Sequence, residues 1–336
     1  MRCTKFCAIS GVKPAGSMLL QRLATIAFAG LFFLGAAAKA QEQQDDTENS
    51  QDCNVQILQG GYGYSFSGFT GPFATTTTFL LGEGRVGAVG LATFDGAGGL
   101  IARDTLARSG TPAIRHAGTG TYGVNANCTG WASIDLTTVP DPNAPNSKVD
   151  FEHLEFDFMI VPGMHGREFS FIVTHQAFCT VGEDCPPTTP TLPEQTGVAL
   201  SIGDEACSDA SLQGTYRLLS TGTNLTRVEA NANVGFRVFD GAGLITDGAD
   251  TGFANGVLVQ PTGRSGHYMV QSPKCTATVT RNDGATFDAV VVDGGRQAYL
   301  LRTKNLAITN VFLKKGPGRF VMHNDNTTLP SDKQRR

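Results

Sequence analysis

Tryptophan occurs once in 336 residues, charged side chains make up 17%, and there is no basic surplus: 26 Lys and Arg stand against 30 Asp and Glu. That balance excludes a nucleic-acid binder working through bulk electrostatics. Beyond residue 40 there is no apolar run of membrane-spanning length, so no membrane span is expected in the remainder. No G-x-S-x-G, H-E-x-x-H or phosphate-loop pattern occurs. The cysteines lack the short spacings of a zinc site. No metal, cofactor or catalytic residue is therefore expected. Glycine is plentiful, at 41 residues, and 40% of the chain is hydrophobic, too much for disorder. Glycine-rich, weakly charged sequence favours an all-β protein with many tight turns.

Residues 1–40 contain no Asp or Glu and five basic residues, Arg2, Lys5, Lys13, Arg22 and Lys39. The apolar stretch Leu23 to Ala38 ends in Ala38-Lys39-Ala40, ahead of an acidic, polar run. Basic, apolar and small residues in that order read as a secretory signal peptide, with Met18 as an alternative start. Its removal changes the charge from −4 to 21 − 30 = −9. Residues 41–52 read as an acidic flexible linker and 316–336 as a basic flexible tail. An exported bacterial protein, periplasmic or extracellular, is expected.

The remainder holds an internal repeat. Cys53 to Tyr62 and Cys207 to Tyr216 share the pattern C-x4-L-Q-G-x-Y. Phe94-Asp95-Gly96-Ala97-Gly98 matches Phe239-Asp240-Gly241-Ala242-Gly243. Gly120-Thr121-Tyr122 with Cys128 matches Gly266-His267-Tyr268 with Cys275. Phe156-Asp157 and Gly166-Arg167 match Phe287-Asp288 and Gly295-Arg296. Two homologous domains follow, 53–203 and 207–315.

The second copy divides into eight β-branched, apolar runs separated by Gly, Asn and Asp clusters: 214–221, 232–239, 244–253, 263–271, 274–281, 285–292, 297–304 and 307–315. Alternation such as Tyr62, Tyr64 and Phe66 against Gly63, Ser65 and Ser67 fits antiparallel strands with one apolar face. Two tandem eight-stranded antiparallel up-and-down barrels are expected, with β-sandwiches as the alternative. Successive turns of such a barrel alternate between its ends. Cys53 and Cys128 then fall at one end, as do Cys207 and Cys275, and repeat symmetry selects those pairings. Cys179 and Cys185 remain to close a small loop. The long connections 69–84, 137–150 and 175–196 of the first domain gather at the opposite, open end.

Asp95 and Asp240 before glycine read as turn formers. Tyr62, Tyr122, Tyr216 and Tyr268 recur as barrel-lining aromatics and as possible ligand contacts. Arg167 and Arg296 recur at a strand start, where each could bind an anion or pair with Asp157 and Asp288.

The L-Q-G-x-Y, F-D-G-A-G and Y-x-V…Cys blocks, with Val292 to Arg296, resemble a set of exported bacterial proteins of unknown function. The barrel pattern is similar to lipocalin-like and allene-oxide-cyclase-like barrels, although this chain has Gly60-Gly61-Tyr62 in place of the lipocalin G-x-W. The resemblance implies a fold and no activity. The expectation is a non-enzymatic binding module that takes a small apolar ligand or a surface partner at the rim of domain 1. The alternatives are an envelope-interaction protein with filled barrels, and an enzyme using the barrel mouth. Partner identity is left open, an envelope component included.

Overall fold

The computed structural model describes residues 53–69, 84–108, 113–140, 150–180, 194–203, 206–224, 229–254, 256–304 and 307–316. The expected signal peptide, acidic linker and basic tail beyond Gly316 lie outside these residues, as do most of the three long connections. The Cys179–Cys185 pairing also lies outside them, since Cys185 is not described.

The first domain consists of β1 (Gln59–Phe69), β2 (Arg85–Asp95), β3 (Gly99–Arg108), β4 (Ile114–Val124), β5 (Thr129–Thr138), β6 (Asp150–Ile160), β7 (Glu168–Thr180) and β8 (Glu194–Ser201). They pair in sequence order, and β8 returns to β1, so the sheet closes. The second consists of β9 (Gln213–Asn224), β10 (Glu229–Asp240), β11 (Leu244–Ala254), β12 (Val257–Val259), β13 (Gly266–Gln271), β14 (Thr276–Arg281), β15 (Thr286–Val292), β16 (Gln297–Arg302) and β17 (Ala307–Lys315). It closes through β9–β17 and β10–β11, with the short β12 added beside β11. Both units are eight-stranded antiparallel barrels, and the sandwich alternative is set aside. No α-helix occurs among the described residues.

Two differences from expectation are local. The first domain's long connections are shorter than drawn, because β7 continues to Thr180 and β8 begins at Glu194. A bulge makes the β7 extension possible: Glu155 pairs with His175 and Phe156 with Val173, leaving Thr174 unpaired. The bulge shifts the alternation by one, so Gln176 enters the barrel.

Each barrel has a sealed floor. The segment after Cys53 forms a 3-10 turn (Val55–Ile57), and Asp209–Ser211 repeats it after Cys207. Cys53–Cys128 and Cys207–Cys275 are bridged, the pairing expected from repeat symmetry. They close 75- and 68-residue separations, and each contributes about 2–4 kcal/mol. Leu58 and Leu212 plug the floors, at 0% and 1% exposure.

The barrels abut along one seam. Val290, Val292, Tyr299 and Leu301, which face outward from barrel 2, are buried against Val89, Ala107 and Leu200 of barrel 1. Gly63 permits the approach, since a Cβ there would collide with Val290 and Val292. Asp288 accepts from Thr105 Oγ1 at 2.7 Å and from Arg115 at 2.9 and 3.0 Å. Asp288 thus neither faces open solvent nor pairs with Arg296. It joins the two halves.

Candidate functional site

The four recurring tyrosines are floor staples. Tyr122 OH donates to the carbonyls of Val55 and Leu58 at 2.9 and 3.0 Å. Tyr268 OH does the same to Asp209 and Leu212 at 3.0 and 2.8 Å. Tyr62 OH donates to Gly166 O at 2.7 Å and Tyr216 OH to Gly295 O at 2.5 Å. Burial pushes Tyr62 and Tyr216 up to about 12, with the neighbouring Tyr122 and Tyr268 adding to it. None of the four is free to meet a ligand by its hydroxyl.

Arg167 and Arg296 lie at the surface, outside both barrel interiors. Both side chains are exposed, and Arg296 pairs with Asp293 at 2.8 Å. The repeated Gly-Arg block exists for its glycine: Gly166 and Gly295 have φ of +75° and +86°, and a Cβ would strike Ile57 O or Ser211 O of the floor turn. Asp157 is exposed. Asp95 and Asp240 are turn formers as read, each Oδ1 accepting from two backbone N–H groups at 2.7 and 2.9 Å.

The interiors above the floors differ between the copies, for reasons visible in the aligned positions. In barrel 1 the inward side chains Tyr64, Phe66, Phe158, Phe169 and Phe171 fill the lumen with packed rings. The repeat places Leu218, Ser220, Ala289, Ala298 and Leu300 at those positions in barrel 2. Meanwhile Ala92, Ile134 and Val173 correspond to Arg237, Arg281 and Arg302. Loss of ring volume opens a cavity of about 230 Å3 in the upper half of barrel 2, and the arginines project into it.

The strands also part here. β11 pairs with β13 only at Leu244–His267 and Ile245–Gly266. Above that, residues 257–265 bridge the gap and bring Arg264 to the cavity wall. Four arginines line it, Arg237, Arg264, Arg281 and Arg302, against one acid, Asp250. Arg237 is spent on Asp250 in a bidentate pair at 2.6 and 2.9 Å. Asp283, just off the lining, takes Arg264 at 2.6 Å and also pairs with Arg281. Arg302 has no acidic partner among the described residues, and its Nε is buried without an acceptor. Burial, together with the nearby Arg281 charge, lowers the Arg302 pKa against the opposing pull of Asp283. Thr309 Oγ1 and Asn231 Oδ1 on the same wall also lack partners. Two more positive than negative charges (4 − 2) surround a space floored by Phe239, Phe287 and Leu300. None of the six expected contact residues lines this cavity, and the expected binding site lay at the rim of domain 1.

Barrel 1 carries a polar layer at the equivalent height. Asp104 lies opposite Gly90 as Asp250 lies opposite Gly235. Asp104 Oδ1 is 3.0 Å from His116 Nδ1, and Tyr64 OH donates to Asp104 Oδ2 at 3.2 Å. Glu152 Oε2 lies 3.4 Å from the same imidazole nitrogen, and Gln176 donates to Glu152 Oε1 at 2.6 Å. Burial and the Asp104 charge push the Glu152 carboxyl up to about 7, against the opposing pull of His116, Gln176 and Arg108. These residues carry no motif and have no repeat partner of the same type, except the two aspartates.

No protein-family model matches the chain, and no curated protein matches it. Among solved structures the chain is similar to kievitone hydratase from Nectria haematococca, at 7% identity over 80% of this chain and 95% of that one, with a TM-score of 0.27. It is also similar to a protein of unknown function of the DUF3598 family from Nostoc punctiforme, at 9% identity over 79% and 99%, with a TM-score of 0.20. Likenesses this distant leave the activity to be argued from the residues of this chain alone.

Proposed function

We infer that the chain is a non-enzymatic binding protein whose second barrel takes a small organic anion with a compact apolar body. One observation carries the reading: Arg302 faces a cavity of about 230 Å3 with no acid paired to it among the described residues. Arg302 is half-buried, its Nε is buried without an acceptor, and the nearby Asp283 is paired with Arg264 and Arg281; a carboxylate entering bidentately would give this guanidinium a partner of its own. The apolar floor favours a hydrocarbon or single-ring tail. The volume lies below the roughly 300–1,000 Å3 of drug-sized sites, so a medium-chain fatty acid or monocyclic aromatic acid fits better than a long lipid. The rim of domain 1 is a weaker candidate, because the barrel beneath it is packed with rings. The two disulfides support an oxidising compartment, consistent with export. Among the described residues no helix is long and apolar enough to cross a membrane.

Isothermal titration with octanoate and benzoate, against octanol and benzyl alcohol, tests the reading. The acids should bind and the alcohols should not. Arg302→Met should weaken the acids by about tenfold or more, the size of one lost charge-assisted hydrogen bond. Equal binding of acid and alcohol, or an Arg302→Met protein that binds the acids as tightly as the parent, refutes it.

A further inference from the structure

The polar layer of barrel 1 brings two carboxylates to one imidazole nitrogen and leaves one buried carboxylate oxygen without a hydrogen-bond partner. Asp104 on β3, His116 on β4 and Glu152 on β6 are each about 98% buried or more as side chains. Each offers one ligand atom, and these atoms lie within 4.8 Å of one another. We propose that Asp104, His116 and Glu152 bind a single divalent transition-metal ion, with Zn2+ the best match.

The argument rests on which atoms are already engaged. The outer oxygen of each carboxylate is held by a neutral donor: Asp104 Oδ2 by Tyr64, and Glu152 Oε1 by Gln176. Gln176 is itself fixed by Gln195, whose Nε2 donates to Gln176 Oε1 at 2.6 Å. The inner oxygens, Asp104 Oδ1 and Glu152 Oε2, are left facing His116 Nδ1 at 3.0 and 3.4 Å. An imidazole Nδ1 carries at most one proton, and the shorter contact goes to Asp104. Glu152 Oε2 is left buried without a hydrogen-bond partner. An ion would satisfy all three atoms together. Tetrahedral bonds of 2.0–2.2 Å set ligand atoms about 3.3–3.6 Å apart, close to the 3.0 and 3.4 Å that separate His116 Nδ1 from the two carboxylate oxygens; all three atoms lie within 4.8 Å of one another. Two carboxylates and a neutral imidazole balance a divalent charge. The donors held behind them match the outer partners that orient metal ligands. The set of one nitrogen and two oxygens suits Zn2+ and accepts Co2+ as a spectroscopic stand-in. Three protein ligands leave a fourth position open.

The test uses the untagged full chain, stripped with a chelator and titrated with Co2+, then displaced by Zn2+, with native mass spectrometry for stoichiometry. One ion per chain and visible Co2+ d–d bands are expected. Glu152→Gln should weaken binding by about a hundredfold. Tyr64→Phe, which leaves every ligand in place, should weaken it by about tenfold. His153→Ala controls for the half-buried His153–His175 ring pair on the outer wall and should change nothing. No uptake by the parent overturns the proposal, as does binding lost in His153→Ala. If Glu152→Gln fails to fold, Tyr64→Phe decides alone, and parent-like affinity there overturns the proposal. Octanoate binding in barrel 2 is read separately, so either site can fail without the other.

Discussion

Gly63 lies against Val292 across the seam between the two barrels, with no room for a side chain between them. Its repeat counterpart is Arg217, which points to solvent. Gly63→Leu should therefore force the barrels apart. The expected loss is about 1–3 kcal/mol, as for other overpacked sites, read by urea unfolding. A variant as stable as the parent would show that the halves do not meet at Gly63.

The floor glycines give a paired comparison. Gly166 and Gly163 have nearly the same φ, +75° and +76°, yet a Cβ at Gly163 meets nothing while one at Gly166 strikes Ile57. Gly163→Ala should cost about 1 kcal/mol for the left-handed backbone alone. Gly166→Ala should cost about 2–4 kcal/mol, strain plus overlap. Thermal unfolding of both variants decides, and equal losses would remove the floor contact from the account.

Tyr62 and Tyr216 ionise near 12 rather than 10, because burial disfavours the phenolate. The folded protein then holds protons that the unfolded chain has released. The contribution of these two groups is fully present below pH 10 and is lost as pH rises toward 12. Absorbance at the tyrosinate band should show a late-ionising class, with melting temperature falling over the same window. A single transition at the ordinary tyrosine value would refute the burial of these phenols.

Asp288 and Arg115 form a bidentate pair, but Arg115 is 63% exposed and Asp288 only 14%. A double-mutant cycle should give a coupling below about 1 kcal/mol. Asp288→Ala should cost more than Arg115→Ala, because it also strands the Thr105 hydroxyl. The reverse order would mean that the seam does not rest on Asp288.

The floor was legible in the sequence and the lumen was not, for physical reasons. Cysteine, tyrosine and glycine at the floor serve one geometry twice, so repetition exposes them. Inward polar residues are recognised only once the pleat is known, and bulges hide it. Asp104 stands six residues after Gly98, whereas Asp250 stands seven after Gly243, because the register of β11 slips at Thr246. The two aspartates that occupy one place thus never align by counting. The bulge at Thr174 likewise turns Gln176 inward where unbroken alternation would have sent His175. The ring-for-alanine exchanges that open barrel 2 were present in the aligned copies, but their meaning depended on which strand faces crowd the axis.

A base stapled by cystine, phenol and glycine has an evolutionary corollary. Closure of each barrel is secured below the level at which the copies differ, so residues nearer the mouth can be traded in groups without unfastening the wall. Ala289, Ala298 and Leu300 stand in the second copy where Phe158, Phe169 and Phe171 stand in the first, and one repeated unit supplies both a solid prop and a hollow cup within the same chain.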